Sequence, residues 1–187
     1  VYAAGSALDW LRGVLRLGDA RRLERLAGSV PDTGGVAFLP AMQGLGAPHG
    51  DLARRGSLTG LTSSTTTAHL ARAALEGIAF RVRELVEHVE ASAELAASPV
   101  LRADGGLASN DVLMQLQADL LGRPVTRHAL LEATAVGAAV CAGRGSGVLG
   151  VADEAAFVRH APPFEPLVTR DEADARFAAW RNQVHAR

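Results

Sequence analysis

The sequence predicts an α/β fold with a mixed sheet, antiparallel in its first strands, parallel in its later strands, and flanked by helices. Three observations carry this. Two short strands, at residues 36–39 and 57–61, precede the longest helix as a group. Two later strands, at 100–103 and 125–127, alternate with helices. The 187 residues, 48% hydrophobic and 21% charged, have the composition of a globular domain with a sizeable core.

Taken in order, residues 1–4 read as a strand end, and Ser6 is placed to N-cap a helix through Leu8, Leu11, Val14 and Leu15. A short helix near 20–26 carries arginines on its outer face, and Pro31, Asp32, Thr33, Gly34 and Gly35 make a turn. Residues 36–39 form a buried strand stopped by Pro40, and 44–50 form a loop. Thr65, Thr66 and Thr67 offer an N-cap for the longest helix. There Leu75, Ile78, Val82, Leu85 and Val89 share one face, and Arg81, Arg83, Glu84 and Glu87 are expected on a solvated one.

Pro99 introduces the strand at 100–103, which the pair Gly105-Gly106 ends. Ser109 is then expected to N-cap a helix lined by Leu113, Leu116 and Leu120, with Asp111 in its first turn and Gly122 closing it. Residues 133–142 make a helix of small side chains suited to packing on a sheet. Its Cys141 is expected to be a packed thiol. A short helix near 153–158 and a last helix near 171–185 complete the chain.

Composition excludes several functions. A net charge of −1 with no basic stripe gives no support to nucleic-acid binding. No apolar run is long enough to span a bilayer, the start does not read as a signal peptide, and a cytoplasmic location is expected. A single cysteine forms no internal disulfide. All 19 basic side chains are arginines, which excludes a Walker A or Schiff-base lysine. The six histidines are scattered with no His-x₃-His pair, so no metal site is expected. Glu76 is expected to pair with an arginine such as Arg72, and His69 to start a helix. Gly143, Arg144, Gly145, Ser146 and Gly147 follow a helix rather than a strand, the wrong setting for a dinucleotide loop.

The segment from Asp104 to Asn110 is the candidate site. A strand ends in a carboxylate, two glycines let a ligand approach without meeting a Cβ, and a helix start supplies free N–H groups. In open α/β sheets ligands bind beyond the carboxyl ends of strands. Gly105 and Gly106 would touch an anion or sugar ring. Asn110 would bond a base or ribose edge, and Asp104 would hold a loop or reach a metal through water. A tight turn with no ligand explains the same spacing, since Gly-Gly turns are common.

From Val1 to about Cys141 the chain resembles the C-terminal domain of the FGGY carbohydrate kinases in four stretches. The run Gly5-Ser6-Ala7-Leu8-Asp9-Trp10-Leu11-Arg12 is similar to the first helix of that domain. The run Pro40-Ala41-Met42-Gln43-Gly44-Leu45-Gly46-Ala47-Pro48 resembles the loop of the glycerol-phosphorylating members rather than the Ser-Gly-Glu loop of pentulose kinases. The run Gly56-Ser57-Leu58-Thr59-Gly60-Leu61, with His69-Leu70 and Ala73-Ala74-Leu75-Glu76, fits the second family signature. Asp104-Gly105-Gly106 with Asn110, then Ala133-Thr134-Ala135-Val136-Gly137-Ala138-Ala139, resembles the nucleotide-site strand and the helix after it.

The resemblance implies an actin-like, ribonuclease-H-like protein of two domains with ATP and Mg²⁺ between them. It implies nucleotide contacts at Gly5, Gly106 and Asn110, and at Asp9, where the family usually has glutamine. With Asp104 and Gly105 these are the expected nucleotide-binding residues. It also implies that the catalytic aspartate, the polyol-binding residues and the first phosphate loop lie in an N-terminal domain outside these 187 residues. The whole chain is expected to be the C-terminal domain, a core at about 1–147 with a helical extension at 148–187. Expected partners are ATP or ADP, that N-terminal domain, and a polyol or sugar bound mainly by it; a homo-oligomer is left open.

Overall fold

The computed structural model describes residues 4–93, 98–129, 132–150, 153, 157 and 160–185. Helix α1 (Ala4–Val14) and helix α2 (Ala20–Gly28) come first. Ser6 therefore lies inside the first turn of α1 rather than capping it, and Ala4 is helical rather than extended. Asp19 caps α2 by accepting from Arg22 N–H at 2.6 Å. Residues 1–3, expected as a strand end, and all but Asp153 and Phe157 of the expected helix at 153–158 lie outside the described residues.

Strand β1 (Ala37–Leu39) pairs antiparallel with β2 (Ser57–Thr59), Phe38 opposite Leu58. Strand β3 (Leu101–Ala103) pairs parallel with β4 (Val125–Arg127), Arg102 opposite Thr126. The mixed order expected from sequence is thus observed, in two short sheets. β1 is fully buried, as its apolar run demands, but β3 is only half-buried.

Helix α3 (Thr67–Ser92) is the axis of the fold, packing against α1, α2, β1 and two later helices, α4 (Asp111–Leu121) and α6 (Arg170–His185). Thr66 and His69 form a reciprocal capping box at its start, so His69 is the helix-start residue expected. Where α3 crosses β1, a Cβ on Gly77 would lie 2.3 Å from Phe38 O; only glycine permits this approach. Phe38 O also accepts from Trp180 Nε1 at 3.0 Å.

That tryptophan belongs to α6 (Arg170–His185), which drives Phe177, Trp180 and Val184 into the core. Phe80 stacks on both aromatic rings, 5.9 Å from Phe177 and 5.1 Å from Trp180. α6 and the loop after β1 correct the expected solvated face of α3. Arg81, Arg83 and Glu84 are all buried, while Val89 of the expected apolar face is 52% exposed. Arg83 bonds Glu87 at 2.7 Å and Ala173 O at 3.1 Å, pairs with Asp174, and lies 4.4 Å from the Phe177 ring. Buried cations persist only when paired and hydrogen-bonded in this way. Glu76 meets Arg72 as expected, and also Arg176 of α6, each at 2.8 Å.

A 3-10 turn (Gly106–Ser109) leads into α4 (Asp111–Leu121), whose Leu113, Leu116 and Leu120 are buried and which Gly122 ends in a left-handed conformation. Helix α5 (Ala133–Gly145) follows β4. It buries none of its residues and Cys141 is exposed, so neither the expected sheet packing nor the packed thiol is found. Small side chains permit close packing, but no described element covers them. No helix among the described residues is long and apolar enough to cross a membrane.

Candidate functional site

The site grows from the turn after β3. Gly105 has φ +83°, a backbone that favours glycine, and it swings the chain from strand into the 3-10 turn. That turn delays α4, so the cap is Asn110 rather than Ser109. Asn110 Oδ1 accepts from Leu113 N–H at 2.8 Å, while Ser109 Oγ donates to Gly106 O at 2.7 Å. Asp111 N–H donates to Glu24 Oε1 of α2 at 2.7 Å. Two first-turn N–H groups expected to face a ligand are therefore already satisfied by protein acceptors.

α1, α2 and this turn enclose a cavity of about 510 Å³, a size suited to a small-molecule ligand. Leu8, Leu23 and Leu107 give it an apolar floor. Asp9, Arg12, Arg21, Glu24, Ser109 and Asn110 make its polar wall, and Gly5 and Gly106 also line it. Asp9 pairs with Arg12 at 3.1 Å, which offsets the carboxylate's charge. Asn110 uses its oxygen as a cap, and its NH₂ makes no hydrogen bond among the described residues.

Four of the six residues singled out from sequence thus line one cavity, although more than 90 positions of sequence separate Gly5 and Asp9 from Gly106 and Asn110. Asp104 and Gly105 do not line it. Asp104 is exposed and makes no hydrogen bond among the described residues, so it holds no loop here. The α2 contribution, Arg21, Leu23 and Glu24, carried no local signal. Glu24 meets the α4 start from 87 residues away. A larger cavity of about 590 Å³ opens beside His49 and His185, and none of the six residues lines it.

This is an α/β domain with a cavity at the end of its parallel strands, the class of fold that binds ligands at the strand–helix turn. The model of the FGGY family of carbohydrate kinases, C-terminal domain, matches residues 1–146. The chain belongs to that family. It is 47% identical over 184 residues to a glycerol kinase of Thermus brockianus and 48% identical over 189 residues to one of Alkalilimnicola ehrlichii, in each case across 98% of this chain. It spans about 37% of the length of these curated relatives. Among solved structures it is similar to Plasmodium falciparum glycerol kinase with ADP, at TM-score 0.85 and 29% identity over 96% of this chain and 36% of that one. It is also similar to a xylulose kinase from Rhodospirillum rubrum, at TM-score 0.73 and 33% identity over 94% of this chain and 36% of that one.

Proposed function

We propose that this chain forms the nucleotide-binding wall of an ATP-dependent kinase that phosphorylates a polyol, with glycerol as the acceptor. One observation carries the reading: Gly5, Asp9, Gly106 and Asn110 converge on one cavity from two distant parts of the sequence. The glycines strengthen it. A Cβ at Gly5 or Gly106 would meet no protein atom within 4 Å, and neither has a positive φ. The protein's own packing requires neither glycine, and both backbones are open to a ligand in the cavity they line.

The cavity's chemistry suits the nucleoside end of ATP. Its leucine floor takes the face of a base, and the free NH₂ of Asn110 meets an acceptor on the base or ribose. Asp9 suits a ribose hydroxyl while Arg12 balances its charge. The occupied N–H groups at the start of α4 make that helix end a poor phosphate seat. The phosphates instead run past Gly106 toward an N-terminal domain that supplies the catalytic aspartate and the acceptor pocket. Mg²⁺ bound there with the phosphates would neutralise charge in phosphoryl transfer, which rests on positioning and electrostatics from both sides of a cleft. A cytoplasmic protein fits this role.

The names of the relatives and the loop from Pro40 to Pro48 favour glycerol over a pentulose. A steady-state assay of the complete protein with glycerol and with xylulose tests the acceptor. Higher kcat/KM with glycerol is expected, and preference for xylulose overturns that part. These 187 residues alone are expected to transfer no phosphoryl group; ATP-dependent glycerol phosphorylation by them would refute the division of labour.

A further inference from the structure

The larger cavity has no part in the nucleotide reading, and its side chains are unusual. His49 of the loop after β1, Glu84 of α3 and His185 in the last turn of α6 each present one donor atom, and all three lie within 4.8 Å of one another. No local spacing marks them as a metal site, because 35 and 101 residues separate these positions.

The three elements are tied together. His49 Nε2 is 3.5 Å from Glu84 Oε2. Arg81 pairs with Glu84 and donates to Ala47 O at 2.9 Å, holding the loop against α3. Arg54 donates to Val184 O, holding the end of α6 to the same loop. The imidazole rings sit 5.3 Å apart, tilted by 42°. Glu84 is buried, both histidines are exposed, and the cavity of about 590 Å³ leaves room for water beside them.

We propose that His49, Glu84 and His185 bind a divalent transition-metal ion, Zn²⁺ by preference, that ties the end of α6 to α3 and to the loop at 44–50. Tetrahedral zinc with bonds of about 2.0–2.1 Å needs donors about 3.3 Å apart, so small side-chain rotations close the site. Two imidazoles and one carboxylate, with water in the fourth position, are a ligand set that zinc accepts. The surrounding charge selects the ion class. Arg54, Arg81 and Arg181 lie close by, against Glu84 and the wall residue Glu87. That balance disfavours Mg²⁺ and Ca²⁺, which need several oxygen ligands and negative charge, and leaves ions that bond neutral imidazole. Arg81 bonds Oε2, the same Glu84 oxygen that faces His49, and so fixes the carboxylate as outer partners of metal ligands do, leaving Oε1 to approach the ion.

The test is calorimetric titration of Zn²⁺ into the metal-free full chain, repeated with His49→Ala, His185→Ala and the double variant. Co²⁺ serves as a second probe through its visible absorption. Both histidines are exposed and the Arg81–Glu84 pair survives their removal, so the fold is expected to persist; His185→Gln repeats the reading if alanine disturbs it. One equivalent should bind, with affinity falling at least tenfold in each single variant, and Zn²⁺ should raise the melting temperature of the wild type only. Absence of binding at micromolar Zn²⁺, or equal binding by the double variant, overturns the site. None of the three residues lines the nucleotide cavity, so this outcome is independent of the nucleotide reading.

Discussion

Gly77 and Gly5 are both helical glycines, and their surroundings are opposite. At the crossing of α3 and β1, Gly77 is pressed against Phe38 O, and the protein's own packing demands it. On the cavity wall, Gly5 faces open space, as does Gly106 in the turn. The first region is closed and explains itself. The second leaves room for a bound molecule, so packing demands glycine in one place and places no demand on it in the other.

The largest expected effect lies in the closed region. Gly77→Ala forces a methyl group into a backbone carbonyl and should cost about 3 kcal/mol or more, read by urea unfolding. A change below about 1 kcal/mol would mean that α3 and β1 separate easily, which would weaken the contrast. Trp180→Phe removes the hydrogen bond to Phe38 O and leaves that carbonyl buried; a loss of about 1–3 kcal/mol is expected by the same measurement.

In the open region the sign should reverse. Gly5→Ala should leave stability unchanged or raise it by up to about 1 kcal/mol, since alanine is the better helix former. The same substitution should weaken Mg-ADP binding at least tenfold. Asn110→Asp sharpens this, because it keeps the oxygen that caps α4 and removes the unpaired NH₂. Thermal unfolding should be nearly unaltered while nucleotide affinity falls several-fold; unaltered affinity would show that Asn110 acts only as a cap.

A smaller effect depends on pH. Side-chain hydrogen bonding to Arg123 holds the Glu90 carboxyl below its ordinary value of 4.5, and Arg83 does the same for Asp174 relative to 3.8. A depressed native pKa gives stability that is present above the unfolded value and lost as pH falls through the native one. Acid should therefore destabilise the fold progressively below about pH 4.5, and Arg123→Gln should flatten that slope with only a small loss of stability at neutral pH. An unaltered slope would remove Glu90 from the account. The smallest effect concerns Cys141, whose exposed thiol should react promptly with a disulfide reagent in the folded state. Cys141→Ser should alter stability by less than about 0.5 kcal/mol.

The same contrast explains what the sequence could show. Local rules located both strand pairs, the N-cap in the threonine cluster at 65–67, the Gly122 helix end and the turn at Gly105-Gly106, because each depends on neighbours within a few residues. They failed wherever a distant element decides. Arg81, Arg83 and Glu84 read as solvated because distant elements cover them: α6, some 90 residues on, meets Arg83, and the loop after β1 meets Arg81 and Glu84. Ser109 and Asn110 are both good caps, and only the 3-10 turn chooses between them. The strand–Gly-Gly–helix pattern singled out Gly106 and Asn110 and family resemblance added Gly5 and Asp9, but nothing near Leu23 or Glu24 of α2 pointed to the cavity that all of them line.

Calorimetric titration of Mg-ADP into the complete protein and into its Gly5→Ala/Gly106→Ala variant tests the central claim most directly. The account predicts one nucleotide per chain for the wild type and at least a hundredfold weaker binding for the variant, with no loss of melting temperature. Equal affinity in the two proteins would contradict it and place the nucleotide outside the cavity between α1, α2 and the turn at Gly106.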